Sequence, residues 1–162
     1  MAEPVTLIKT PISLDYDISA GRELSRFLQG IMQKRILGLR CPECTRVFVP
    51  PRGACPTCGV PTTEAVEVSQ TGTITTFCVV NIPFEGQMLK PPYVCAAVLL
   101  DGGDIPLFHL IGGVKPEEVH MGQRVRAVWV SDDEMKPSLE SIRYFEPTGE
   151  PDAPWESYKE HL

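Results

Sequence analysis

The apolar positions change their period twice along the chain, and those changes divide it. Residues 1–18 carry short apolar patches (Val5, Leu7, Ile8, Ile12, Leu14) broken by prolines and charges, which predicts an extended arm. Leu24, Phe27, Leu28, Ile31 and Met32 then recur at three-and-four spacing, the apolar stripe of an amphipathic helix over about residues 20–37, within a segment 19–38. Ser19 reads as its N-cap, Lys34 and Arg35 as cations near its C-terminal end, and Gly38 as its stop. A single helix cannot shelter its own stripe. It must pack either within the chain or on another protein.

From residue 63 the pattern becomes that of strands. Val66 to Val80 is rich in Val, Thr and Ile with Gly72 in the middle, which predicts one long first strand kinked at the glycine. A loop follows from Pro83 to Pro92, then strands over Tyr93–Leu100 and Ile105–Ile111 joined by the turn Asp101-Gly102-Gly103-Asp104. Lys115–Met121 reads as a short helix opened by Pro116 and stopped by Gly122, Arg124–Val130 as an alternating strand, and Leu139–Phe145 as the last strand. Three strands, a short helix and two strands is the order of a five-stranded Greek-key barrel of the OB type, spanning residues 63–146. The polar, proline-rich tail 147–162 is expected to trail over the surface, and the fold is mainly β.

Between helix and barrel lies the segment 39–62, with Cys41-Pro-Glu-Cys44 and Cys55-Pro-Thr-Cys58. Each Cys-x-x-Cys forms a knuckle that turns both thiolates toward one point, and two knuckles facing each other make a tetrahedral four-sulfur cage. Zinc is the natural occupant, and a lone iron suits the same ligands. Two short-range disulfides or a redox pair fit less well, because a redox Cys-x-x-Cys opens a helix after a strand, whereas prolines and glycines surround both pairs here. Val47, Phe48 and Val49 form a short β run between the knuckles, with turn glycines at Gly53 and Gly59, the outline of a zinc ribbon. With every coordination position filled by cysteine, the metal is structural rather than catalytic.

Six cysteines without a leader-like apolar segment, and acids at Glu3, Asp15 and Asp17, fit a soluble cytoplasmic protein with no membrane span. The net charge of −6 argues against general nucleic-acid affinity. Its distribution is uneven: Arg22, Arg26, Lys34, Arg35, Arg40, Arg46 and Arg52 face only Glu23 and Glu43 in the same stretch. That local excess makes an anion-binding face or an ordinary solvated one. Chemistry elsewhere is sparse. His109, His120 and His161 stand in no recognisable acid-base pattern, and Cys78 and Cys95 fall inside predicted strands, where buried cysteine acts as a small hydrophobe, though two on adjacent strands can lie close. The barrel therefore reads as a binder with no catalytic residues. OB barrels bind on their second and third strands and in the loops joining strands one to two and four to five. The first of those loops offers Phe84, Met88, Leu89 and the single charge Lys90; the second carries Asp132, Asp133 and Glu134, which repel phosphates and disfavour single-stranded DNA or RNA.

The helix, CPEC and CPTCG with PP before the second knuckle, then TGTITTFCVV, KPPY, VLLDGGD and MGQRVRAVW, in this order over residues 19–146, closely resemble the zinc-ribbon plus OB-fold family associated with acyl-CoA metabolism. The resemblance implies a rubredoxin-like ribbon and a non-catalytic accessory subunit. Its expected partners are thiolase-like enzymes (sterol-carrier-type thiolases and aldolases) and in some cases a hot-dog-fold enoyl-CoA hydratase, in hetero-oligomers of lipid or steroid side-chain metabolism. On that reading the basic residues Arg22, Arg26, Lys34 and Arg35 would meet the phosphates of coenzyme A, and Phe84 and Lys90 its pantetheine or acyl part. A single-stranded nucleic-acid-binding ribbon and OB module is the alternative.

Overall fold

The computed structural model describes residues 3–8, 10, 14, 15 and 17–162. In chain order these form helix α1 (Gly21–Ile31), strands β1 (Ile36–Arg40), β2 (Val47–Phe48) and β3 (Glu64–Val68), and then the barrel strands β4 (Thr71–Val80), β5 (Tyr93–Leu100), β6 (Leu107–Ile111), β7 (Arg124–Trp129) and β8 (Ile142–Pro147). The first three strands make a small sheet in the order β2-β1-β3, and the last five close a barrel in the order β4-β5-β6-β8-β7. Closure comes from the antiparallel β4–β7 pairing and from a parallel contact of β6 with β8 at Ile111 and Phe145, the OB arrangement. Among the described residues no helix is long and apolar enough to cross a membrane.

The helix is shorter than its periodicity predicts. It is capped by Ala20 rather than Ser19, with no side-chain hydrogen bond at the cap, and it ends at Ile31. Lys34 adopts a left-handed backbone (φ 55°) while the Arg35 N–H returns to the Gly30 carbonyl, so Lys34 and Arg35 lie beyond the helix. Gly38 is not the stop but the middle of β1. A Cβ there would lie 2.8 Å from Val47 Cγ1 and 2.9 Å from the Phe48 carbonyl, so the glycine is what lets β2 and the chain after it cross close to β1. The apolar stripe is covered from within. Phe27 and Ile31 are fully buried in one core with Ile36, Val47 and Val68 of the small sheet, with Val49 just after β2, and with Ile74, Val98, Val125 and Phe145 of the barrel.

The long first strand is two strands. Residues up to Val68 pair with β1, those from Thr71 pair with β5 and β7, and Ser69-Gln70 carries the chain from one sheet to the other. The bend of β4 falls not at Gly72 but at a bulge on Thr75, between the pairs Ile74–Val98 and Thr76–Ala97, where the Thr75 hydroxyl bonds the Ala97 carbonyl. Gly72 is needed for a different reason: a Cβ would sit 2.5 Å from the Leu99 carbonyl oxygen of the neighbouring strand. The predicted helix at 115–121 is a single 3-10 turn, Pro116–Glu118, and the predicted start of the last strand is another, Leu139–Ser141. β6 begins at Leu107 rather than Ile105.

Within the arm the described apolar residues Val5, Leu7, Ile8 and Leu14 are exposed and outside any helix or strand, while Ile12 lies outside the described residues. The tail does not trail. Tyr158 is buried edge-on against Trp155, the Ala153 N–H donates to the Gly122 carbonyl, and the His161 ring bonds the Asp104 carbonyl at 2.9 Å. Asp104 in turn accepts the Val47 N–H on its carboxylate, so one run of bonds ties tail, barrel hairpin and ribbon.

His120 fastens the same tail. Its Nδ1 faces the Glu118 carbonyl at 3.0 Å and its Nε2 the Asp152 carboxylate at 2.9 Å, two acceptors that only a protonated ring can satisfy together. The Glu118 carbonyl, then Asp152, hold this histidine above its ordinary value. A raised folded value means the contribution is complete below the unfolded value of about 6.5 and is lost as pH rises through the higher folded one. We expect the urea midpoint to fall slightly over that interval, equivalent to about 0.2–1 kcal/mol for so exposed a pair. Asp152→Asn should reduce that fall, leaving the part due to the Glu118 carbonyl; a midpoint that rises across the same interval contradicts the assignment.

Candidate functional site

The ribbon brings its four cysteines to one point. In each knuckle the first cysteine's carbonyl accepts an N–H four residues on (Thr45 to Cys41 at 3.1 Å, Gly59 to Cys55 at 2.9 Å), and its sulfur faces the N–H of the second cysteine (Cys44 to Cys41 at 3.5 Å, Cys58 to Cys55 at 3.4 Å). The two knuckles are thus superposable turns, closed by left-handed residues at Thr45 and Gly59. All four sulfurs lie within 4.8 Å of one another, and Cys44 and Cys55 are 3.7 Å apart. A tetrahedral zinc with sulfurs at about 2.3 Å separates them by about 3.8 Å, so the donor set fits. The Cys58 N–H holds the Cys55 thiol down at about 7, while the adjoining Cys44 thiol pushes Cys58 up to about 12. Four sulfurs this close ionise together only around a cation. The cofactor is a structural zinc ion, and Cys41, Cys44, Cys55 and Cys58 are the residues that would hold it.

The charged candidates are dispersed. Lys34 pairs with Asp132 at 2.6 Å, Arg35 with Glu67 at 2.7 Å, and Arg40 with Glu64 at 3.4 Å, so much of the basic stretch is neutralised by the barrel and β3. Arg52 stacks over Phe48. Arg22 and Arg26 both reach Glu23 but keep exposed guanidinium groups on the open side of α1. Phe84 and Lys90 are exposed in the loop between β4 and β5.

An apolar concavity lies on the barrel, a groove of about 580 Å³. Cys95 of β5 and Phe108, His109 and Leu110 of β6 form its floor, Met88 and Leu89 one wall, and Leu139, Ile142 and Arg143 the other. It therefore occupies the strand-two and strand-three face between the two loops that OB barrels use for ligands, and its size suits a small-molecule chain. His109 braces it. Its Nδ1 accepts the Leu110 N–H, so Nε2 is left to donate to the Leu139 carbonyl at 3.3 Å, and burial holds the ring below its ordinary value, neutral. The ring also packs edge-on against Phe145. Sequence reasoning found Met88 and Leu89 but not Cys95, Phe108, Leu110 or Leu139. The available signal was that β5 and β6 are apolar on both faces, whereas an exposed antiparallel sheet alternates. Cys78, expected to be buried, is exposed.

Residues 28–64 match the domain family described as "ChsH2, rubredoxin-like zinc ribbon domain", and residues 65–130 match "ChsH2, C-terminal OB-fold domain". A "DUF35 domain-containing scaffold protein" of Methanocaldococcus jannaschii is 34% identical over 95 residues, 58% of this chain and 67% of the relative. A "probable enoyl-CoA hydratase alpha subunit" of Thermomonospora curvata is 29% identical over 112 residues, 69% of this chain but only 34% of that protein. Among solved structures, an Ltp2-ChsH2(DUF35) aldolase aligns with a TM-score of 0.62 and 26% identity, covering 81% of this chain and 98% of the other. A DUF35 protein of Sulfolobus solfataricus with unknown function aligns with a TM-score of 0.58 at 22% identity, covering 78% and 86%, a likeness of fold alone. With ribbon and barrel matched in sequence and in shape, the chain belongs to the ChsH2-type DUF35 family of zinc-ribbon and OB-fold proteins.

Proposed function

We propose that this chain is a non-catalytic accessory subunit that assembles with a thiolase-like or aldolase enzyme and helps to position an acyl-CoA, catalysis lying in the partner. The observation that carries the reading is the apolar groove on the β5–β6 face. Its lining is mostly apolar, and of its polar members His109 is bonded at both nitrogens while Glu140 and Arg143 are paired with Lys136 and Glu134, which suits holding an acyl chain or pantetheine arm and not transforming it. Two relatives support the partner class, one described as an aldolase with a ChsH2 component and one as a hydratase subunit. The turn Leu139–Ser141 walls the groove and also packs against α1, so the exposed guanidinium groups of Arg22 and Arg26 are the basic residues that we assign to the phosphate end of the ligand, with Phe84 and Lys90 in the loop that supplies Met88 and Leu89 to the opposite wall. Lys34 and Arg35 each have an acid of their own, whereas Arg22 and Arg26 share Glu23 and keep a net positive charge, so Lys34 and Arg35 have the weaker claim. The nucleic-acid reading is disfavoured because the second ligand loop presents Asp132, Asp133 and Glu134 on a 3-10 turn.

The test is co-expression with any thiolase-like or aldolase protein found encoded beside this chain, followed by size exclusion and acyl-CoA turnover. Co-elution is expected. Phe108→Asp places a charge in the groove, and loss of a contact of roughly 1.5–3 kcal/mol should lower kcat/KM of the complex on the order of tenfold or more with zinc content unchanged. Failure to co-elute with any thiolase-like or aldolase neighbour rejects the partner; unchanged turnover in the Phe108→Asp complex rejects the groove.

A further inference from the structure

We propose that Cys78 and Cys95 form a thiol–disulfide exchange site, a dithiol on the outer face of the barrel that a small disulfide-bonded oxidant converts into an intramolecular cross-strand disulfide. The two cysteines belong to neighbouring antiparallel strands and stand directly opposite each other in register. Opposite residues in such a pair point to the same face with Cα atoms about 4.5–5.5 Å apart, within the about 4.4–6.8 Å that a disulfide spans, and with Cβ atoms about 4.5–5.5 Å apart against the about 3.5–4.5 Å of a disulfide, so closure requires side-chain rotation and a local approach of the two strands by about 1 Å. The flanking pairs on that face are Thr76–Ala97 and Val80–Tyr93, which bring no charge against the sulfurs. Both cysteines are free, and neither belongs to the zinc quartet.

Their unequal exposure sets the order of events. Cys78 is exposed and open to a soluble reagent, whereas Cys95 is half-buried in the groove floor. Burial, and then the nearby Cys78 sulfur, push the Cys95 thiol up, which suits it to act second. The Cys78 thiolate attacks one sulfur of the oxidant, the oxidant's S–S bond breaks, and one small thiol leaves. The Cys95 thiolate then attacks Cys78 Sγ in the mixed disulfide and expels the second small thiol. Two protein thiols are oxidised, one external disulfide is reduced to two thiols, and the two protons lost by the cysteines end on those thiols. Excess reduced small thiol reverses both steps. The inference does not depend on what the groove binds, but Cys95 is part of its floor, so oxidation state would be felt there.

The zinc-loaded full chain treated with oxidised glutathione, then alkylated and analysed by mass, tests this. The expected product has lost two hydrogens, links the Cys78 and Cys95 peptides, retains its zinc, and returns to the dithiol with reduced glutathione. Cys95→Ser should instead accumulate one glutathione on Cys78, and Cys78→Ser should react at least tenfold more slowly than the wild type. Persistence of a Cys78–glutathione adduct in the wild type, continued alkylation of both cysteines, or zinc release before the Cys78–Cys95 link forms would each overturn the proposal.

Discussion

Removing the zinc from the intact chain is expected to unfold the ribbon between Cys41 and Gly59 while the barrel's antiparallel sheet survives. The reason is the size of what remains. Around the metal only Cys41, Phe48 and Cys55 are fully buried, joined by the half-buried Cys44, Cys58, Val60 and Ile105, so most of that small core consists of the ligands themselves. β2 has two residues. Outside the buried run Val47–Val49, knuckles so poor in apolar burial cannot offset their own ordering entropy, whereas apparent binding free energies of about 10–16 kcal/mol for structural zinc exceed or match the stability of a whole domain. The damage should have a definite limit. β1 is held from its other side by β3 through five register pairs, and Ile36, Val47 and Val68 belong to the main core shared with helix and barrel. Hydrogen exchange after chelation, or in Cys44→Ser, should therefore show loss of protection at the two knuckles, residues 41–45 and 55–59, and retention along β4 and β5. Undiminished protection of the knuckles would show that the metal does not hold the ribbon. Because the Asp104 carboxylate bonds the Val47 N–H, a melted ribbon also loses its fixed angle to the barrel, and assembly with a partner should fail before any reaction does.

Legibility followed the range of the interactions that decide each feature. Two Cys-x-x-Cys pairs declare their geometry locally, because a knuckle is a turn plus two sulfurs, and the structure gathers those four residues. Strand β5 is legible for the same reason: Tyr93 to Leu100 lies between a proline loop and a double-glycine turn, and its alternation of buried and half-buried residues is regular. The failures occurred where a distant partner decides. Ile36 and Leu37 read as the end of the helix because ILGLR has no period of its own; Ile36–Arg40 is a strand because Glu64–Val68 lies beside it. The run from Val66 to Val80 reads as one strand because nothing in Ser69-Gln70 announces a change of sheet. Gln70 makes that change through distant bonds, donating to the Lys34 carbonyl and accepting from the Trp129 indole. The glycines misled in one direction. Gly38 and Gly72 were read for backbone freedom, yet each is required by a neighbouring strand that approaches where a Cβ would be. The basic stretch likewise looked free because its acids, Asp132, Glu64 and Glu67, are remote in sequence.

The ligand face carries the same lesson into function. A helix or cage motif can be found by spacing, but the groove is made from four segments whose common feature is apolarity on a side of the sheet that should be wet. Its rigidity comes from one residue that sequence reading set aside. His109, neutral and bonded at both nitrogens, fastens the Leu139 turn to β6, and that turn is at once the groove wall and the seat of α1. Groove, helix and barrel closure therefore meet at one place.

Phe145→Ala strikes that place and should be the most destabilising single substitution in the barrel, by about 3–5 kcal/mol. Phe145 is fully buried and sits on β8 at the only register pair that joins β8 to β6, opposite Ile111, while also pairing with Ala127 of β7. Its ring packs edge-on against His109, and its carbonyl accepts the Gly112 N–H at 2.9 Å. Truncation leaves a cavity where the barrel closes, and neither neighbouring strand can collapse into it without breaking its own pairings. Against a typical stability of about 5–15 kcal/mol, the urea midpoint should fall by a large fraction. The zinc site should remain loaded, because the ribbon's own small cluster does not include this ring. A loss below about 1 kcal/mol would mean that the barrel closes without it, and the argued link between the groove and barrel closure through His109 would fall with it.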